Sequence, residues 1–513
     1  MNEEYPYYLK LSKASDLKDK KERFIYRLFE IFPGFLSWIT LILVVFLSWA
    51  APIFIAFFII AFDVYWLLKT VFLSLHLRVG FKKTKENIDI DWMEKLRNEK
   101  KGWDDFYHLL VLPVYNEGMD IVGPTMDSIL KCNYPKDRFI VVFAIEKRVG
   151  KEARDLAQKV KEKYQDKFFR FIITEHPDDI VGELAGKGSN IAWAGRRVKE
   201  NIIDKENIPY DKIIVSALDI DTVLWKEYFS RLMYVYMSEK NPQRASYQPV
   251  PFYINNIWQA PAVARVISFS ATFWHTLQQE RPERMTTFSS HSMPFQALVD
   301  VDFWQANMVS EDSRIFWQCF LRYDGDYSVV PMYYPVSMDA NVVPSFWKTM
   351  INQYKQQRRW GYGVENVAYF LFAFWKNKKI SLKKKWHYSW TIIEGFHSWA
   401  TNALIIFLLG WLPLYLGGEA FNQLLLAYNL PNITKSIMTI AMLGIVTSAV
   451  LTMMILPPKP PEYGKHKYVM MILQWPLVLV TIVVFGALPG LEAQTRLMFG
   501  KYMGFWVTPK SRE

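Results

Sequence analysis

Val215-Ser216-Ala217-Leu218-Asp219-Ile220-Asp221 is the stretch on which the fold turns. An apolar run from Ile213 to Leu218 stops in two carboxylates separated by one residue. Such a run reads as a buried strand of a parallel sheet, and ligands of open α/β sheets bind just beyond the carboxyl ends of the strands. Two acids one residue apart can face one site across a tight turn and hold a hard divalent cation such as Mg²⁺ through oxygen. The competing reading is a strand that ends in a solvated acidic turn. A lone Asp-x-Asp favours that plainer reading, and the metal reading gains only because other stretches converge on the same chemistry.

Outward from this point, residues 85–345 alternate short apolar runs with helical stretches. His108 to Asn116-Glu117 reads as strand then loop, and Phe139 to Ile145 as a second strand closed by Glu146. A Lys-rich helix near 151–165 and a strand over Phe168 to Thr174 follow, and a helix begins after Gly186-Lys187-Gly188-Ser189-Asn190. This alternation predicts a doubly wound α/β domain with a nucleotide across its carboxyl edge. The Gly182 to Ser189 stretch does not make a phosphate loop: its glycine spacing is one short, and Gly188 separates Lys187 from Ser189. No Gly-x-Gly-x-x-Gly is present, so a metal at Asp219 and Asp221 is the natural substitute.

The flanks are membrane-like. The 513 residues exceed one core, half are apolar, and 20 Trp and 36 Phe suit a membrane protein carrying a soluble domain. Residues 1–33 read as a polar cytoplasmic tail without a cleavable signal, and 34–77 as a hairpin of two spans turning near Ala50-Ala51-Pro52. Asp63 and Lys69 lie inside the second span, where charges are costly and often functional. Residues 346–385 read as interfacial helices, 386–488 as three further spans, and 489–513 as an amphipathic segment. The +11 net charge sits in short Lys runs beside apolar segments, which points to inner-face anchoring rather than nucleic acid. Two cysteines, Cys132 and Cys319, support neither a disulfide framework nor a zinc site.

Two further stretches carry chemistry. Ser310-Glu311-Asp312 starts a helical run, where acids are commonly caps. Gln356-Gln357-Arg358-Arg359-Trp360 lies in a partly amphipathic helix, where two guanidiniums beside a Trp can clamp a diphosphate and stack on a sugar. A basic, aromatic interfacial helix is the alternative.

Together these pieces resemble glycosyltransferase family 2, in its membrane-embedded branch similar to cellulose and hyaluronan synthases. The motifs in order are Pro113-Val114-Tyr115-Asn116-Glu117, Lys187-Gly188-Ser189-Asn190, Asp219-Ile220-Asp221, Ser310-Glu311-Asp312 and Gln356-x-x-Arg359-Trp360. Phe505-Trp506-Val507-Thr508-Pro509-Lys510 is similar to the gating loop of cellulose synthases. The resemblance implies a GT-A fold between transmembrane blocks, a UDP-sugar donor, and Mg²⁺ or Mn²⁺. It places Tyr115 and Glu117 against uridine, with Glu146 nearby where the family usually has Asp. Lys187, Asn190 and Asp219 fall on the nucleotide side, and Asp221 binds the metal. Asp312 is the implied general base with Glu311 as its orienting neighbour. Gln356, Arg359 and Trp360 hold diphosphate and acceptor, and Lys510 adds charge near the diphosphate.

The implied function is a processive, inverting synthase of a cell-surface polysaccharide in the plasma (inner) membrane, with its catalytic domain cytoplasmic. Transfer of one sugar to polyprenyl phosphate or another lipid acceptor is the alternative, and a nucleotide-binding receptor or transporter without catalysis is a third. Ser310 replaces the usual Thr. Two spans before the domain and three after it put the C-terminus outside, whereas the gating resemblance requires it inside. A hairpin within 467–488, bent at Pro476, or a miscounted N-terminal pair would reconcile the two.

Overall fold

A computed structural model of the chain describes residues 6–508. Its centre is one eight-stranded mixed sheet: β1 (Tyr107–Pro113), β2 (Phe139–Glu146), β3 (Arg170–His176), β4 (Ile213–Ala217), β5 (Val223–Leu224), β6 (Ala245–Tyr253), β7 (Ser292–Pro294) and β8 (Ser328–Met338). The strand order is β3-β2-β1-β4-β7-β6-β8-β5. β1 to β4 pair in parallel, β7 runs antiparallel between β4 and β6, and β8 is parallel to β6. The expected parallel sheet is therefore mixed. Two reversals in a row return β6 and β8 to the direction of β4, so six strands end on one edge.

β2 and β4 are buried along their whole length, as near-continuous apolar runs require. Ile140, Val142 and Val215 face one packed layer with the Lys187–Val198 helix, while Val141, Phe143 and Ile214 face the other. β3 begins at Arg170, two residues later than the sequence suggests, and runs to His176.

Two blocks of long apolar helices flank this domain. Lys20–Ala50 and Pro52–Ile88 form the first, meeting at Ala51. Leu425–Ile455 and His466–Met498 belong to the second, together with a pair, Leu382–Phe407 and Leu409–Leu416, bent by 46°. The Pro52–Ile88 helix has 37 residues. At roughly 55 Å it is far longer than a hydrocarbon core of about 30 Å. Its last turns accordingly enter the catalytic domain, burying Leu77 and Phe81 against the Ala262–Gln278 helix. Residues before the first long helix also fold onto the domain: Leu9, Leu11 and Leu17 are buried, and Arg314 donates to the Leu11 carbonyl at 3.0 Å.

The last apolar segment is held by side-chain contacts near both of its ends. Near its start, Trp475 stacks on Phe273 at 5.7 Å, and Gln474 accepts from Arg265 at 2.6 Å, both partners belonging to the catalytic domain. At its other end, Arg27 donates to the Leu497 carbonyl at 2.9 Å, and Gln494 accepts from Ser37 at 2.7 Å. Beyond this segment, Phe505, Val507 and Thr508 line the cavity at the sheet edge. Lys510 lies outside the described residues.

Membrane helix and catalytic domain meet closely at Gly80, where a Cβ would stand 2.6 Å from the Thr276 carbonyl oxygen. Backbone cannot yield as a flexible side chain can. Gly80→Val is expected to cost about 1–3 kcal/mol by overpacking and to lower the melting temperature in detergent. Gly444→Ala meets only an ordinary contact at 3.7 Å and leaves melting unchanged. Equal melting of the two variants would show that this junction is not rigid.

Candidate active site

The common strand edge collects the polar residues. Tyr115 and Glu117 follow β1, Glu146 ends β2, Asp219 and Asp221 follow β4, and Asp339 follows β8. The Thr222 amide donates to the Asp219 carbonyl at 2.8 Å, closing the tight turn that turns both aspartates inward. One cavity of about 1080 Å³ is lined by Tyr115, Glu117, Glu146, Lys187, Asn190, Asp219, Asp221, Glu311, Asp312, Gln356, Arg359 and Trp360. The residues expected from sequence thus converge, apart from Lys510.

Lys187 is the electrostatic centre. Its ammonium lies 2.6 Å from Asp219 Oδ1, 2.8 Å from Asp312 Oδ2 and 3.9 Å from Glu311 Oε1. Burial opposes its charge, but the Asp219, Asp312 and Glu311 carboxylates outweigh that cost and hold it protonated well above the usual lysine range. Lys187 opens the Lys187–Val198 helix, and the flanking glycines are required by packing. A Cβ on Gly186 would stand 2.5 Å from the Phe505 ring, and one on Gly188 would stand 3.1 Å from Glu311 Cβ. The loop that fails as a phosphate loop is glycine-rich because two other segments press on it.

Glu311 and Asp312 occupy the first turn of the Glu311–Arg322 helix. Ser310 does not cap this helix through its side chain; it donates to Glu365 Oε1 at 2.8 Å, as do the Val309 and Ser310 amides. Glu365 thereby fixes the start of the helix, a role that sequence reading missed because its carboxylate lies some fifty positions downstream. Glu311 is fully buried, and its carboxyl is pushed up to about 8 by burial and then by Asp312. His291 Nδ1 lies 4.0 Å from Asp312 Oδ1.

Several roles shift. Of the two guanidiniums, Arg358 turns away to Glu492 Oε1 at 2.6 Å, so Arg359 alone lines the cavity, 5.0 Å from the Phe505 ring. The two-arginine clamp is corrected to one arginine, because consecutive helical residues point about 100° apart. Trp360 sits 6.2 Å from the Tyr253 ring and 5.8 Å from Phe288. Asn190 donates to the Ala144 carbonyl at 2.8 Å, supporting the end of β2, and Glu146 pairs with Arg148 at 2.6 Å. His397 meets Thr40 at 3.0 Å on a neighbouring helix, whereas Glu394 and Asn402 line the cavity.

Asp339 was missed, although it obeys the same rule as Asp219: an apolar strand ended by an acid. Its amide donates to Asp221 Oδ2 at 3.3 Å, and Asn255 bridges the Asp221 carbonyl and Asp339 Oδ1, each at 3.0 Å. Among the described residues, no group of three His, Cys, Asp or Glu forms a closed metal cage. Asp221 and Asp339 supply carboxylate oxygens only, a donor set that fits Mg²⁺ or Mn²⁺ with the remaining positions left to substrate oxygens.

The raised Glu311 carboxyl has a stability consequence. The folded state holds a proton that the unfolded chain releases near 4.3. Its contribution is complete below that value and is lost as pH rises to about 8. Glu311→Gln is expected to flatten the fall in melting temperature between pH 5 and 8 relative to wild type. Parallel pH profiles would show that Glu311 is ionised throughout.

A family model, "Glycosyl transferase family group 2", matches residues 214–416, a range that contains Asp219, Asp221, Glu311, Asp312, Arg359 and Trp360. Among solved structures, the chain is similar to the mannosyltransferase PcManGT from Pyrobaculum calidifontis, in complex with GDP-Man and Mn²⁺. The two share 15% identity at a TM-score of 0.42, over 74% of this chain and 98% of that one. It is also similar to residues 1–349 of S. aureus TarS in complex with UDP-GlcNAc, at 11% identity and a TM-score of 0.36, over 73% of this chain and 91% of that one. No curated protein matches. The mixed sheet and its acidic edge are set between blocks of apolar helices, and residues 214–416 are similar to glycosyl transferase family group 2, a match that supports glycosyltransferase activity.

Proposed function

We propose that the enzyme transfers a sugar, with inversion, from a UDP-sugar to a hydroxyl of a lipid-linked acceptor held at the inner membrane surface. The observation that carries this reading is the cavity itself. From Asp312 and Asp221 it continues without interruption between the membrane helices, past Trp399 to Met438 and Phe485, along mostly apolar walls. An apolar passage suits a lipid-borne acceptor better than a hydrated polymer.

In this reading the acceptor oxygen attacks the anomeric carbon, the bond from that carbon to the diphosphate breaks, and Asp312 takes the hydroxyl proton. Lys187 and Arg359 stabilise the charge that develops on the leaving diphosphate. Asp221 and Asp339 would hold the divalent cation, whose chemistry is to neutralise that diphosphate. Glu311, neutral at pH 7, keeps a second negative charge away from the base. Processive synthesis is the second reading, favoured by Glu394, Ser398 and Asn402 as polar points along the same passage.

The deciding experiment is a panel of UDP-sugars scored by UDP release, with membrane lipid extract supplied as acceptor. Lipid-linked products of one added sugar support the proposal; a ladder of long products supports the processive reading. Asp312→Asn is expected to abolish transfer and leave UDP affinity within a few-fold of wild type, measured by calorimetry. Affinity lost together with rate would make Asp312 a nucleotide or metal ligand. Asp221→Asn is expected to remove metal-dependent turnover in a protein that still purifies folded, and full activity at saturating Mg²⁺ would refute its assignment.

A further inference from the structure

The cavity holds a second charged cluster, away from the strand edge. Lys69 Nζ lies 2.6 Å from Glu394 Oε1, which also accepts from Ser398 at 2.9 Å, and Arg284 approaches Glu394 Oε2 at 3.7 Å. Arg281 pairs with Glu283 at 3.4 Å, a carboxylate that is half exposed, and lies 5.6 Å from the Phe72 ring. The three cationic side chains are only 18–22% exposed, and all three line the cavity beside Trp66.

The charges do not balance. Among the carboxylates paired with these cations in the described residues, Glu394 is the one that shares their burial; Glu280, next to Arg281, is engaged by Lys83 at 2.8 Å, and Asp63 lies six residues from Lys69, about 9 Å along the helix axis. Holding surplus positive charge against apolar membrane helices is costly unless an anion completes it. Two arginines and a lysine form a donor set suited to phosphate oxygens: the guanidiniums bind in pairs, and the ammonium acts as a point charge. The cluster also communicates with the catalytic edge. Residues 285–288 link Arg284 directly to Ser289, whose hydroxyl donates to Asp219 Oδ2 at 2.6 Å.

We propose that Lys69, Arg281 and Arg284 bind the phosphate or diphosphate of the acceptor lipid, whose tail then occupies the apolar passage. This rests on the lipid-acceptor reading above and deepens it. The phosphate here is a handle and not the nucleophile. A phosphate oxygen has no proton to surrender and would need no base, whereas Asp312, a carboxylate paired with Lys187 at 2.8 Å, opens into the same cavity. The acceptor is therefore a sugar carried on a phosphate-bearing lipid, gripped by its phosphate while a sugar hydroxyl reaches Asp312.

Binding to full-length protein in nanodiscs tests this without turnover, using farnesyl diphosphate, farnesol and inorganic pyrophosphate as probes. Wild type is expected to bind farnesyl diphosphate at least about tenfold more tightly than farnesol, a preference worth about 1.4 kcal/mol. Arg281→Gln with Arg284→Gln should erase that preference while UDP affinity is unchanged, and Arg281→Lys with Arg284→Lys should restore part of it. Unchanged UDP affinity establishes that the variants are folded. Pyrophosphate that competes as well as farnesyl diphosphate supports the anion site and assigns it to a free anion; weak competition supports it as a lipid site. Equal binding of farnesol and farnesyl diphosphate, or a preference surviving in the glutamine variant, overturns the proposal. UDP release in the sugar panel is read separately, so a failed acceptor reading and a failed phosphate site remain distinguishable.

Discussion

One ammonium ion among three carboxylates holds this enzyme's site together. Lys187 draws Asp219 from the end of β4 and Glu311 and Asp312 from the start of a helix into contact distance. These segments are separated in sequence by about thirty to 125 residues, and without a central cation their acidic side chains would repel one another when ionised. Removing one partner from such a buried arrangement typically costs roughly 3–5 kcal/mol. Burial, and then the neighbouring Asp312, push the Glu311 carboxyl up to about 8.

Around this centre, packing is arranged so that membrane and catalytic parts share residues. The long Pro52–Ile88 helix supplies Lys69 to the cavity and then Phe81 to the catalytic domain's core. The C-terminal segment returns to press Phe505 against Gly186 and beside Arg359. Arg358, the other arginine of its motif, ties that returning segment through Glu492. A change at the membrane cluster therefore has short covalent and packed routes to Asp219 and to the loop before Lys187.

Much of this was legible in the chain. Apolar runs that end in acids reported strands whose carboxyl edges face a site, because a buried strand must be apolar throughout and its ligand groups can begin only where it ends. Long uncharged stretches reported membrane helices, since few other environments tolerate them. The motif spacings placed Tyr115, Asp221, Asp312 and Arg359 around one cavity. Asp339 was readable by the same strand-end rule and was passed over because it lay at the margin of the expected domain.

What the sequence could not decide depended on contacts between distant segments. The two sheet reversals through β7 depend on cross-strand pairing, which no local pattern encodes. The division of labour between Arg358 and Arg359 was fixed by where Glu492 lies, and the purpose of Gly186 by the Phe505 ring. That Phe505 reaches the cavity depended on Gln474 and Gln494 finding partners on distant segments, not on counting apolar stretches. Local composition therefore determined which residues are buried, spanning or reactive, because those properties follow from each residue's own transfer energy. Tertiary structure decided which charges meet, because an ion pair's energy depends on distances that only the folded chain sets.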